Sequence, residues 1–130
     1  MKHEAIFDTL RLIARDVAPV AQARIAAAVV FKKEIIALGV CKKQTHPLQK
    51  RFAKNPQSIY LHSEVDALRN VLRKHSPKIL TECSLYVVRQ KYLDNDKEIM
   101  VDGIAKPCPG CQKAIKHFKI PHVYWSEDEY

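Results

Sequence analysis

Apolar positions recur along this chain with two different periods. Ile6, Leu10, Ile13, Ala14 and Val17 fall at helical spacing with charges between them, predicting an amphipathic helix that ends before Pro19. Two dense apolar runs follow, Ala26 to Phe31 and Ile35 to Val40. Only Lys32-Lys33-Glu34 separates them, as in a β-hairpin with a short polar turn. From Cys41 to Tyr60 the chain is polar and basic, with Pro47 and Pro56 and no sustained period. A long loop is expected there, or a loop holding a short helix.

Helical spacing returns from Leu61 to His75, with Val65, Leu68, Val71 and Leu72 as the apolar face. Ser84 to Gln90, carrying Leu85-Tyr86-Val87-Val88, reads as a central strand. Lys91 to Lys106 is charged and patternless, and is expected to be a loose, protruding connection. Pro107 is expected to open a helix with Cys111, Ala114, Ile115 and Phe118 inward; Pro121 closes it before a last strand, His122 to Trp125. The order α-β-β-α-β-α-β predicts an α/β fold with one partly parallel sheet and helices on its faces. No repeat or linker interrupts it, so residues 1–130 are expected to form a single domain.

Composition narrows the class. A chain of 130 residues, 47% hydrophobic and 28% charged, can bury roughly two-thirds of its unfolded surface without disulfide staples. Four cysteines, at 41, 83, 108 and 111, therefore need not be a bridge framework. Glu4, Asp8 and Asp16 near the start argue against a secretory signal, and no apolar run approaches a membrane span. A cytoplasmic protein is the expectation. Lys plus Arg total 22 against 14 Asp plus Glu, a net charge of +8, which suits a nucleotide or nucleic-acid partner without choosing between them.

The chemistry concentrates in two short motifs, each expected at a helix start. His62-Ser63-Glu64 opens one helix, and Pro107-Cys108-Pro109-Gly110-Cys111 opens the other. Two thiolates three residues apart and one imidazole make three ligands for Zn²⁺, leaving a fourth tetrahedral position for water, whose pKa the metal lowers towards about 7. Glu64 is then the carboxylate that can take the water's proton. Residues two apart on a helix do not share a face. The arrangement therefore requires His62 to stand at or just before the first turn. Competing readings are a closed structural zinc site, with Cys83, His117 or His122 as fourth ligand, and a redox dithiol of Cys108 and Cys111.

The combined pattern H-x-E…P-C-x-x-C resembles the cytidine/deoxycytidylate deaminase superfamily of zinc enzymes. The resemblance spans most of the chain and implies a three-layer α/β/α fold with a mixed sheet of four to five strands. It implies that His62, Cys108 and Cys111 bind zinc, and that Glu64 shuttles protons as hydroxide attacks the amine-bearing ring carbon. Gln112-Lys113-Ala114-Ile115 looks more like the deoxycytidylate and tRNA-editing branches than the free-nucleoside enzymes. Thr45-His46-Pro47 resembles phage and bacterial deoxycytidylate deaminase-like proteins. The family commonly has a sugar-binding Asn where Cys41 stands, and an acidic or aromatic residue where Lys106 precedes the Pro-Cys pair. The 91–106 stretch is longer than usual, and a fifth strand after Trp125 is not evident.

On this reading the substrate is a cytosine-type base on a free nucleotide or nucleoside, with deoxycytidylate favoured. The alternatives are a single-stranded DNA or RNA deaminase acting on cytosine or adenine, and a non-catalytic zinc-binding nucleic-acid module. Candidate substrate contacts are Cys41, His46, Ser63, Pro107, Tyr124 and Trp125. Lys50, Arg51 and Lys54 are candidate phosphate contacts. The resemblance also implies a homo-oligomer. The acidic Glu127-Asp128-Glu129 is expected to be a solvated end.

Overall fold

The computed structural model describes residues 3–17, 24–42, 47–52, 61–93 and 99–129. The first helix, α1 (His3–Asp16), is followed by the antiparallel pair β1 (Arg24–Phe31) and β2 (Glu34–Val40). Their two-residue turn places Lys32 and Lys33 at φ 49° and 69°, the left-handed geometry that matches the twist of paired strands. A short helix α2 (Pro47–Phe52) lies within the basic segment. Then come α3 (Ser63–Leu72), a 3₁₀ turn (Pro77–Glu82), β3 (Cys83–Tyr92), β4 (Met100–Gly103), α4 (Pro109–His117) and β5 (His122–Trp125). No helix among the described residues is long and apolar enough to cross a membrane.

The strands form one mixed five-stranded sheet, with β3 at its centre. Along one edge β3 pairs antiparallel with β1 from Cys83 to Gln90. The other edge is divided: β5 runs parallel to Ser84–Val87, and β4 runs antiparallel to Arg89–Tyr92. Ser126 fills the junction, its N–H donating to the Val87 carbonyl and its Oγ donating to the Gly103 carbonyl at 2.7 Å.

Alternation along the strands sorts the core into two layers. Ala26, Ala28, Val30, Tyr86 and Val88 pack under Ile6, Leu10 and Ala14 of α1. Ala27, Val29, Leu85 and Val87 face Ala67, Leu68 and Val71 of α3 and Ala114 of α4. This is the expected α/β/α sandwich.

Three expectations are corrected. The described part of the 91–106 stretch is not a loose connection, because β4 pairs with the end of β3 and makes the fifth strand. The acidic end is not merely solvated: Glu129 Oε1 accepts the Asp102 N–H at 2.7 Å, and Asp128 Oδ1 accepts the Ile104 N–H at 2.9 Å. Helix α4 begins at Pro109 rather than Pro107, and Cys108 caps it.

On the α1 face, Arg11 donates from Nε and Nη2 to the two oxygens of buried Asp102, at 3.0 and 2.8 Å. Gln90 donates to the same carboxylate and accepts from Arg15. The bidentate pair pushes the Arg11 pKa up and ties α1 to the inserted strand.

Candidate metal centre

Two helix starts meet at the Val40 end of the sheet. His62 is the residue before α3, with extended backbone at φ −77° and ψ 153°. Cys108 stands in the same relation to α4, at φ −68° and ψ 167°. Because His62 lies outside the helix, its side chain is not bound to the face opposite Glu64, as the two-residue spacing requires.

His62 Nδ1 lies 3.5 Å from Cys108 Sγ and 3.3 Å from Cys111 Sγ. All three ligand atoms fall within 4.8 Å of one another, and among the described residues no fourth ligand joins the group. Ligands about 2.0 Å (nitrogen) and 2.3 Å (sulfur) from a tetrahedral zinc stand roughly 3.5 Å apart. The observed separations fit that ion. Cys83, a possible fourth ligand, instead donates its thiol to the Ile79 carbonyl at 3.2 Å.

The electrostatics suit a cation. Hydrogen bonds from Cys111 and His62 draw the Cys108 pKa down to about 3, and the Cys108 thiolate raises that of His62. Cys111 moves up, because it donates to Cys108, is buried, and faces the Glu64 carboxylate. Two sulfurs sharing one proton beside an imidazole form a donor set that a divalent ion would complete.

Glu64 is 6% exposed, and its Oε1 accepts a 2.6 Å hydrogen bond from Ser63 Oγ. Both lie in the first turn of α3, where the helix dipole favours a carboxylate. Helix α3 is held close to the sheet through Gly39 on β2. A Cβ there would lie 2.2 Å from the Ala67 nitrogen and 2.3 Å from the Ser63 carbonyl oxygen. Only glycine permits that approach.

Two further residues that the sequence did not single out fix the site. Buried Gln49 of α2 accepts the His62 N–H at 3.1 Å through Oε1. Buried Asp66 ties Val40, Lys42 and Arg69 together at the end of β2. Neither has a motif around it: a lone Gln in a basic segment and an Asp in a helix's first turn both read as solvated positions.

The remaining candidates divide. Cys41 follows β2 and is half-buried; burial and then the charge on Glu64 push its pKa up to about 11. Pro107 is buried, and its carbonyl accepts from Gln112 Nε2 at 2.7 Å. Trp125 faces the α3/α4 layer, but Tyr124 points to the other side of the sheet. There it packs with Tyr86 and His3, at ring separations of 4.9 and 4.6 Å. Consecutive strand residues face opposite ways, so Tyr124 is not brought to the cluster. Arg51 is exposed, with Nη2 3.5 Å from His117 Nε2. Lys50 lies in α2, but its side chain, together with His46 and Lys54, is outside the described residues.

Residues 1–127 match the family described as the cytidine and deoxycytidylate deaminase zinc-binding region. No curated protein matches the sequence. Among solved structures, the chain is similar to the apo dCMP deaminase of cyanophage S-TIM5. The two share 23% identity over 96% of this chain and 84% of that one, with a TM-score of 0.63. It is also similar to a guanine deaminase from Bacillus subtilis, at 23% identity, 98% and 65% coverage and a TM-score of 0.58. A third likeness is to a structure from a study of A-to-I editing by tRNA:A34 deaminases, at 19% identity, 95% and 76% coverage and a TM-score of 0.54. At these identities the likenesses establish the fold.

Proposed function

Because the chain belongs to the cytidine and deoxycytidylate deaminase zinc-binding family, and is therefore a zinc-dependent hydrolase, we propose that it deaminates a cytosine-type base on a free nucleotide or nucleoside, with deoxycytidylate first. The observation that carries the reading is a nearly inaccessible carboxylate, Glu64, beside a ligand set that numbers three rather than four among the described residues. A closed structural site would need a fourth protein ligand and would leave Glu64 without a role.

His62, Cys108 and Cys111 would hold the zinc, which supplies a Lewis acid that acidifies water at neutral pH. Glu64 takes the first proton of the attacking water to the ring nitrogen, where it stays, and then carries the second, from the newly formed hydroxyl, to the departing amine. The water oxygen ends as the new carbonyl, and ammonia leaves. Ser63 fixes the rotamer of Glu64 through Oε1 while the proton moves. Gln49 orients His62 through its backbone. Cys41, kept as an uncharged thiol, borders the site where it can meet the sugar. The likeness to the phage dCMP deaminase and the +8 charge favour a phosphorylated pyrimidine.

A single-stranded DNA or RNA substrate is the second reading, favoured by the exposed lysines beside α4 and by the likeness to a tRNA:A34 deaminase. Assembly into a homo-oligomer and a cytoplasmic site of action belong to the same proposal. The deciding experiment is ammonia release by the zinc-loaded protein from cytidine, deoxycytidine, their monophosphates, guanine and single-stranded oligonucleotides. Deoxycytidylate is expected to react fastest. Release from oligonucleotides alone transfers the assignment to the second reading, and release from guanine alone overturns both.

A further inference from the structure

A cleft of about 390 Å³ lies beside α4, and none of His62, Glu64, Cys108 or Cys111 lines it. Its walls come from Ile115 of α4 and from Val123 and Trp125 of β5; Lys106, Gln112 and Lys116 supply its polar groups. Gln112, Ile115 and Lys116 share one face of α4 by their spacing. Cys111 and Ala114, both fully buried, occupy another. The cleft therefore opens on a different face of α4 from the buried one, although Pro107, the residue before Cys108, also lines it.

Its chemistry is selective. The volume falls within the range of small-ligand sites. Two exposed lysines contribute positive charge, and no carboxylate is among the described residues that line it. The nearest acid in sequence, Glu127, accepts the Trp125 Nε1–H at 2.9 Å. That bond uses the indole's only donor, so Trp125 offers the cleft ring surface rather than a hydrogen bond. An aromatic plate with flanking cations recognises a planar ring joined to an anion, and does so with little preference among bases.

We propose that this cleft binds a nucleoside phosphate, its base against the Trp125 indole and its phosphate between Lys106 and Lys116. The ligand is either a free mononucleotide or one unit of a strand. The inference does not depend on which base is deaminated at the metal centre.

Trp125 is the chain's single tryptophan, so intrinsic fluorescence reports on this cleft directly. The probes are thymidine monophosphate and an oligothymidylate. Thymine carries no exocyclic amine, so neither probe is consumed and failure here is distinct from failure of the deaminase assignment. Saturable quenching is expected, weakened at least about ten-fold in Lys106→Glu/Lys116→Glu, whose substituted side chains are exposed and leave the core intact. If the ligand is a strand, the oligothymidylate binds more tightly, and the double variant flattens its log–log salt dependence by about 1.4. If it is a free nucleotide, the monophosphate binds at least as well. Absence of quenching by both probes, or quenching unchanged in the double variant, overturns the proposal.

Discussion

Asp66 Oδ2 accepts the Val40 backbone N–H at 3.0 Å. The same buried carboxylate accepts Arg69 Nε at 2.6 Å and Lys42 Nζ at 3.3 Å through Oδ1. One side chain, two residues beyond Glu64, thus joins the end of β2 to the first turns of α3. Removing it leaves a half-buried N–H and two cations without this carboxylate. Asp66→Ala is expected to cost about 3 kcal/mol, read as a lower denaturant midpoint. Asp66→Asn, which can still accept from Val40, should recover part of that loss. An unchanged midpoint in the alanine variant would show the contact to be incidental.

Glu64→Gln keeps the shape of the side chain and removes its basicity. Turnover should fall by about a thousand-fold, within the usual span for a lost general acid–base group, while zinc content by atomic absorption stays at the wild-type level. Normal turnover in this variant sinks the proton-shuttle role.

His62→Ala leaves two thiolates and no imidazole. Bound zinc should drop well below the wild-type stoichiometry after dialysis, because three ligands become two. Equal metal content in the two proteins would remove His62 from the ligand set.

Gly39→Ala tests whether sheet and helix set the site together. The added methyl meets backbone atoms of Ala67 and Ser63 rather than a yielding side chain. A loss of about 3 kcal/mol is expected, with zinc affinity falling too, since His62 moves with α3. A stable variant that binds zinc normally would mean the helix can shift without consequence.

Cys41 gives a pH signature. Its folded pKa, about 11, lies above the ordinary thiol value of 9.0. The folded state therefore keeps a proton that the unfolded state has lost between those values. Its contribution to stability is complete below pH 9 and fades as pH rises towards 11. Alkylation of Cys41, followed by mass spectrometry on the folded zinc-loaded protein, should be slow at pH 8 and accelerate across this window. Rapid labelling at pH 8 would contradict it.

Much of this architecture can be read from the chain, for identifiable reasons. Helices α1 and α3 bury long apolar stripes, and the middles of β1 and β3 are covered on both faces, so burial wrote their periods into the sequence. The metal cluster is legible because chemistry restricts its residue types and spacing. Strand β4 is not. It carries Asp102 and Gly103 and pairs with the polar end of β3, where Arg89, Gln90 and Lys91 leave no alternating pattern. Nor could Asp128 and Glu129 reveal their hydrogen bonds, since a carboxylate bound to a backbone N–H looks in sequence like any solvated acid. Gln49 and Asp66 act through single contacts between distant segments, which no local pattern records.

The division of one edge of β3 between β5 and β4, closed by Ser126, bears on how this chain can vary. Strand β4 is anchored by the sheet and by Glu129, Asp128 and Ser126. Cys108 then follows β4 after only four intervening residues, 104–107, of which Ala105 bonds to Ser126. A change that displaces β4 or Ser126 therefore has only this short path to travel before it reaches the metal helix.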